Sequence, residues 1–337
     1  MREQQKPVRP VPLAVYNFTS SWFLVPQGTS ILAIILHQLY YQFDGLSIIA
    51  KIVWIYAIVL LGLFLLVYLT RLALYPGHVV HQVRSNVVEA SCLASIPIAF
   101  TSIIQMITLQ YTGPAELVAY ILWWISTALS LICVIGVPYM QLKMQPSGIE
   151  TMPPSFLLPI ISILTSSAGG GVISQKSSLS ARLTVPAIVV SYMELGTGVA
   201  LAICIDACII YHHFDQTYPE RSRAFQDMVL CGPFGQASFA FQILGMALRK
   251  SFPVYSRGVL LQEAAAVPIA AVSEFTGLLA WGFGTFWWLF ASMSIVYTLK
   301  VEYGGWKGVR FSLAAWSLIF PWVSPTFFPI PYPYPLF

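Results

Sequence analysis

Apolar runs follow one another along the chain, separated by short polar stretches. A helix needs about 20 mostly apolar residues to cross a bilayer. Nine stretches meet or approach that length: residues 20–39, 48–72, 92–111, 116–140, 155–174, 184–211, 226–248, 274–299 and 311–328. The short connections predict antiparallel helical hairpins between sequence neighbours. Two connections, 75–91 and 212–225, are long enough to carry structure of their own.

Proline and glycine divide the spans into two sets. The first span holds Pro26 and Gly28, the third Pro97, and the fifth Pro159 with Gly169, Gly170 and Gly171. The seventh holds Gly232, Pro233 and Gly235, and the ninth Pro321. In the even spans proline falls at the edges: Pro138 ends the fourth, Pro186 opens the sixth and Pro268 precedes the eighth. Proline frees a carbonyl and kinks a helix. At membrane depth that is tolerated only where protein or water satisfies the freed backbone. The pattern therefore predicts an inner ring of odd helices around a cavity and an outer ring of even ones.

Polar side chains follow the same division. The odd spans carry Gln27, Thr29, Ser30, Thr101, Ser102, Gln105, Ser162, Thr165, Ser166, Ser167, Gln236, Ser238, Gln242, Ser312 and Ser317, with no Asp, Glu, Lys or Arg in mid-span. Hydroxyls, amides and freed N–H groups offer donors to an anion without a fixed charge that would slow its exit. Broken helices add the positive ends of their dipoles. A pathway for small anions is the expectation.

Composition agrees with a membrane protein. Of 337 residues 57% are hydrophobic and only 9% charged, and the mean hydropathy is +0.75. A soluble domain carries about a quarter charged residues. A net charge of +4 scattered over the loops gives no nucleic-acid surface. The five cysteines stand in apolar stretches without metal-ligand spacing, and no cofactor or metal is expected. Placing the N-terminus in the cytoplasm puts eleven of the 17 Lys and Arg residues on that side, as the positive-inside rule prefers. A membrane enzyme would need a catalytic constellation at one face. The only candidates are His78 with His81, and His212 with His213; paired loop histidines are more often solvated, so no catalytic residue is assigned.

Several stretches then carry a family resemblance. "NFTSSWFLVPQGTSILAIILH", "YILWWISTALS", "SSAGGGVIS", "SYMELGTGVALA", "AWGFGTFWWLFA" and "AAWSLIFP" resemble the first, fourth, fifth, sixth, eighth and ninth helices of the tellurite-resistance/dicarboxylate transporter family. That family includes plant slow anion channels. "CGPFGQASFAFQILG" resembles the seventh-helix motif of its fungal sulfite efflux pumps. The resemblance implies an all-α integral membrane protein, with hairpins around a quasi-five-fold axis and odd helices inside. It further implies a plasma-membrane location, a homotrimer, sulfite as the anion, and Phe320 as the pore gate. Pro26, Gly28, Pro97, Gly169, Gly170, Gly232, Pro233, Gly235, Gln236, Ser238 and Pro321 are then the expected helix breaks and pore lining. A C4-dicarboxylate (malate) permease is the alternative, together with an inactive truncated member.

The chain also departs from the family. Glu194 stands where the sixth helix is usually apolar, and with Asp206 and Glu274 it places acids on even spans. Intramembrane acids are functional candidates, so Glu194 and Glu274 are candidates for proton coupling. After Phe320 and Pro321, prolines 325, 329, 331, 333 and 335 set a rhythm that cannot form a membrane helix. The expected organisation is a cytoplasmic segment 1–19, a transport domain 20–321 and a Pro-rich tail 322–337, without the family's tenth helix.

Overall fold

A computed structural model describes residues 10–145, 153–215, 224–302 and 313–319. The elements, in chain order, are α1 (Pro10–Tyr16), a 3-10 turn Ser20–Phe23, α2 (Leu24–Gln38), α3 (Leu46–Leu74), α4 (Pro76–Ser85), α5 (Val87–Cys92) and α6 (Ser95–Gln110). There follow α7 (Pro114–Met144), a turn Pro154–Leu157, α8 (Leu158–Lys176), α9 (Ala181–Asp215), a turn Ala224–Cys231, α10 (Gly232–Tyr255), α11 (Glu263–Tyr297) and a turn Leu313–Leu318. Among the described residues the only β pairing is an isolated bridge between Arg257 and Leu261.

Among the described residues, seven helical stretches are long and apolar enough to cross a membrane. The first expected span is a composite of the turn Ser20–Phe23 and the 15-residue α2. The ninth lies largely outside the described residues. Burial separates two classes. In the apolar windows of Pro154–Lys176, Phe225–Tyr255 and Val87–Gln110, 100%, 94% and 72% of residues are buried. In those of α3, α7, α9 and α11 the share is 22% to 33%. The even helices therefore form the outer layer, and their exposed apolar faces fit lipid.

Contacts follow one rule. The inner helices pack in the order α2, α6, α8, α10. Each outer helix covers the inner helix of its own hairpin, and α3, α7 and α9 also cover the next one. The short segments leading into the inner helices touch in cyclic order: Ser20–Phe23 on α5, α5 on Pro154–Leu157, that on Ala224–Cys231, that on Leu313–Leu318, and that back on Ser20–Phe23.

Three sequence expectations need correction. Pro138, Pro186 and Pro268 do not edge the outer helices but lie inside α7, α9 and α11. Pro186 and Pro268 are each the sixth residue of their helix, where the lost N–H leaves one carbonyl near the helix end unpaired. The eighth span starts at Glu263, not Glu274. The glycines 169–171 are no break either, because α8 runs unbroken from Leu158 to Lys176.

Those glycines admit neighbours instead. A Cβ on Gly169 would come within 2.6 Å of Thr101 Cγ2, and one on Gly170 would strike Ser191 Oγ and Trp123. One on Gly171 would come within 2.5 Å of Ile243 Cγ2. Helices α6, α7, α9 and α10 all press on this one stretch. α11 approaches α10 through Ala270, Gly277 and Gly284, all buried. Their seven-residue spacing is the repeat of a left-handed helix crossing, and small residues let the backbones close up in lipid.

Candidate anion pathway

The inner helices share one break, placed by proline. Pro26 and Pro97 are the third residues of α2 and α6, and Pro159 and Pro233 the second residues of α8 and α10. A first-turn proline gives up an N–H that the helix does not use. Lacking that N–H, it cannot bond the carbonyl four residues before it, in the segment leading in, so α hydrogen bonding does not run backward past the proline. The chain therefore enters each inner helix through a 3-10 turn or, for α6, through the short helix α5. The break at Gly232 and Pro233 is thus an entry rather than a mid-helix kink.

No side chain caps these entries. The N-cap residues Phe23, Ala94, Leu157 and Cys231 make no side-chain cap bond. Four helix N-termini, each carrying about half a positive charge, stand beside the touching entry segments. Three buried acceptors nearby lack a partner: Gln27 Oε1, Ser95 Oγ and Ser155 Oγ. Across the described inner helices, Lys176, Arg249 and Lys250 stand toward the far ends and no basic residue lies between. Gly28 keeps α2 thin where the ninth segment meets it, since a Cβ there would lie 3.3 Å from Ile319 Cβ and 3.7 Å from Trp316.

Many of the expected lining hydroxyls face outward. Thr101 Oγ1 bonds Ser126 at 2.6 Å, Ser162 donates to Ser130 at 2.9 Å, and Ser166 pairs with Thr127 at 2.8 Å. Ser167 donates to the Ser191 carbonyl at 2.7 Å. These groups join the inner helices to α7 and α9 and act as interhelical hydrogen bonds within the membrane. Thr29, Ser30, Ser102 and Thr165 bond carbonyls of their own helices. Gln236, Ser238 and Gln242 are buried in α10, where Gln242 donates to Ser238 Oγ at 3.2 Å. Phe320 and Pro321 lie outside the described residues.

The acids separate. Glu194 is buried on α9 and accepts from Ser166 at 3.0 Å. Glu274 is exposed on the outer face of α11, away from the inner helices. Asp206 is buried with neither oxygen bonded, and Asp227 accepts from Ser294 at 2.8 Å.

The sequence reading missed a buried ion pair. Arg71 donates to Glu89 Oε1 at 2.8 Å, and both are almost wholly buried. Glu89 Oε2 also accepts from the Ser20 N–H at 2.9 Å and from Ser20 Oγ at 3.0 Å. The Arg71 Nε reaches the Tyr16 carbonyl at 3.2 Å. This cluster ties α3, α5 and the entry turn of α2 together. A second missed cluster lies at the opposite ends of the inner helices. There Glu116 accepts from the Ser178 N–H and hydroxyl, and Lys250 donates to the carbonyls of Gln175 and Ser177. The signal in the sequence was a charged residue beside an apolar run, which is ambiguous without the partner.

His78 lies in α4, where it stacks on Tyr16 at 4.1 Å and bonds its hydroxyl at 3.1 Å. His212 and His213 fall within α9. Among the described residues no group of three metal-ligating side chains occurs.

Comparison with known proteins agrees with this architecture. The SLAC1 family, described as voltage-dependent anion channels, matches residues 17–327. The sulfite efflux pump SSU1 of Arthroderma benhamiae is 31% identical over 315 residues, 92% of this chain and 80% of that protein. The SSU1 of Trichophyton rubrum is 30% identical with the same coverage. The malic acid transport protein of Schizosaccharomyces pombe is 31% identical over 156 residues, 44% of this chain and 35% of that protein. By the extent of the family match and the identity to these relatives, this chain belongs to the SLAC1 family of anion channels and transporters.

Proposed function

We propose that the protein exports sulfite across the plasma membrane, with its N-terminus in the cytoplasm, as a multi-pass transporter that assembles as a homotrimer. One observation carries the anion reading: four uncapped inner-helix entries stand together with no basic side chain between them and the far helix ends. Such a surface attracts an oxyanion weakly through backbone dipoles and buried hydroxyls, and lets it leave. Sulfite as the anion is supported by the sulfite pumps that match along 92% of the chain. Malate is the second reading, supported by the malic acid transport protein, which matches 44% of it. A dicarboxylate carries two charges and would be better served by a cation in the pathway.

Gln27, Ser95, Ser155, Gln236 and Ser238 are the residues proposed to meet the anion, with Phe320 as the gate. The test is growth of a sulfite-sensitive host expressing the full chain. Growth at sulfite levels that stop the empty-vector control supports export. Altered malate uptake with unchanged sulfite tolerance replaces this reading with the dicarboxylate one, and neither effect marks an inactive member.

A further inference from the structure

Glu194 occupies an unusual place for a carboxyl. The buried face of α9 runs through Thr184, Ala187, Ser191, Glu194, Leu195, Ala202, Asp206 and Ile209, while Met193 and Ile203 on the other faces are exposed. Glu194 therefore points into the protein, midway along a helix that is otherwise apolar at that level. One carboxyl oxygen accepts from Ser166 Oγ at 3.0 Å; the other, Oε2, is buried without a partner.

Ser166 belongs to the inner helix α8. Its hydroxyl also pairs with Thr127 Oγ1 at 2.8 Å, and its carbonyl accepts the Trp123 indole N–H at 2.9 Å. A chain of hydrogen bonds thus runs from α9 through α8 to α7.

No cation answers this acid. The elements packed on α9 are α8, α10 and the turn Pro154–Leu157, with α7 behind Ser166. Among the described residues their charged groups are Glu116 and Lys143 of α7, Lys176 of α8, and Arg249 and Lys250 of α10, all toward helix ends. On α9 itself, Arg182 lies in the first turn, Tyr192 bonds Ser273, and Asp206 is twelve residues on, about 18 Å along the axis. The one ion pair among the described residues is Arg71 with Glu89. A lone carboxylate among apolar side chains is costly, and one hydroxyl donor does not offset that cost. A proton on the open oxygen removes the charge.

We propose that Glu194 is a proton-binding site whose filling and emptying is coupled to anion movement through Ser166 on α8. This rests on the anion-transport reading and adds a coupling ion to it. With the proton present, the carboxyl needs little from Ser166. With the proton gone, both oxygens need donors, and Ser166 and Thr127 are the hydroxyls within reach. The Ser166 hydroxyl would then turn fully to α9, shifting the inner helix against α7. The proton moves between water and Oε2 with no other bond made or broken.

The test uses the purified full chain in proteoliposomes with sulfite as the probe, at zero membrane potential. Flux is measured with and without an imposed gradient of one pH unit, and the ratio is compared between wild type and Glu194→Gln. Both proteins meet the same sulfite speciation and the same lipid leak, so the difference isolates a proton carried by the chain. One proton per anion predicts a wild-type ratio up to about tenfold above that of the variant. Equal ratios overturn the coupling. A direct readout independent of transport is the infrared band of a protonated carboxyl, measured across pH. One component of the band is expected in wild type and in Ser166→Ala and is lost in Glu194→Gln, whereas any component from the buried Asp206 stays in all three. If wild type and Glu194→Gln show the same carboxyl bands at every pH, the proton site is wrong, whatever the flux. If wild type moves no sulfite while the band titrates, the sulfite reading fails and the proton site stands.

Discussion

Glu89→Gln removes one charge from the buried cluster and leaves the shape almost unchanged. In the wild type, Arg71 and Glu89 are 2% and 4% exposed at the side chain and meet at 2.8 Å. The amide can still accept from the Ser20 N–H, which Glu89 now binds at 2.9 Å. What it cannot do is neutralise Arg71, which would keep only the Tyr16 carbonyl and the face of Tyr68, whose centroid lies 5.7 Å away. Breaking a buried pair by removing one partner costs about 3–5 kcal/mol, because the other charge is left uncompensated. At roughly 2 °C per kcal/mol for a large domain, the unfolding midpoint should fall by about 6–10 °C. The double variant Arg71→Met with Glu89→Gln removes both charges and should recover much of that loss. Heating the detergent-solubilised protein and measuring what remains monodisperse gives the midpoint. A single variant as stable as wild type, or a double variant losing the sum of both singles, would refute the argument.

Gly170→Ala places a methyl against Ser191 Oγ and Trp123; overpacking of this kind costs about 1–3 kcal/mol, and the same heating assay should show the loss. Pro233→Leu should lower sulfite flux while surface abundance persists, since it removes the residue that forces the 3-10 entry into α10; unchanged flux would take that entry out of the pathway. Phe320→Ala should raise anion current per surface molecule and Phe320→Leu should raise it less, because leucine keeps bulk; no rise in either variant removes Phe320 as the gate.

The layering of the helices was legible because it rests on chemistry written at each position. Lipid demands an apolar face, so α3, α7, α9 and α11 advertise themselves, and prolines 26, 97, 159 and 233 do mark the inner helices. The location of the break was less legible. A proline in a long apolar run reads as a kink in its middle, whereas the folded chain uses its tolerance of the first helical turn to start a new α segment there. The direction of the hydroxyls was not legible. Ser162 and Ser166 are one turn apart on α8 and both bond outer helices. Spacing says they share a face, but which neighbour that face meets depends on helix rotation. Glycines 169–171 failed for a related reason: glycine serves both a broken backbone and a close approach, and only the neighbours distinguish them.

The division of polar groups bears on how such a protein can be both tightly packed and permeable. If every hydroxyl of the inner helices faced a common cavity, the helices would be held to the outer layer by dispersion alone, since lipid supplies no hydrophobic drive for association. Here Thr101, Ser162, Ser166 and Ser167 fasten α6 and α8 outward. The entry segments and the first turns they lead into keep unpaired groups: the Ser155 and Ser95 hydroxyls and the Gln27 carbonyl oxygen. These segments precede the helices whose N-terminal dipoles favour negative charge. A rigid wall and an anion-attracting mouth are thus built from the same residue types. What separates the two roles is position relative to proline. Downstream of the first-turn proline, regular α geometry holds Thr101, Ser162, Ser166 and Ser167 toward a neighbouring helix. Close to it, Gln27, Ser95 and Ser155 keep an oxygen without a partner. Moving a proline along one inner helix should therefore move the mouth and not merely bend the helix.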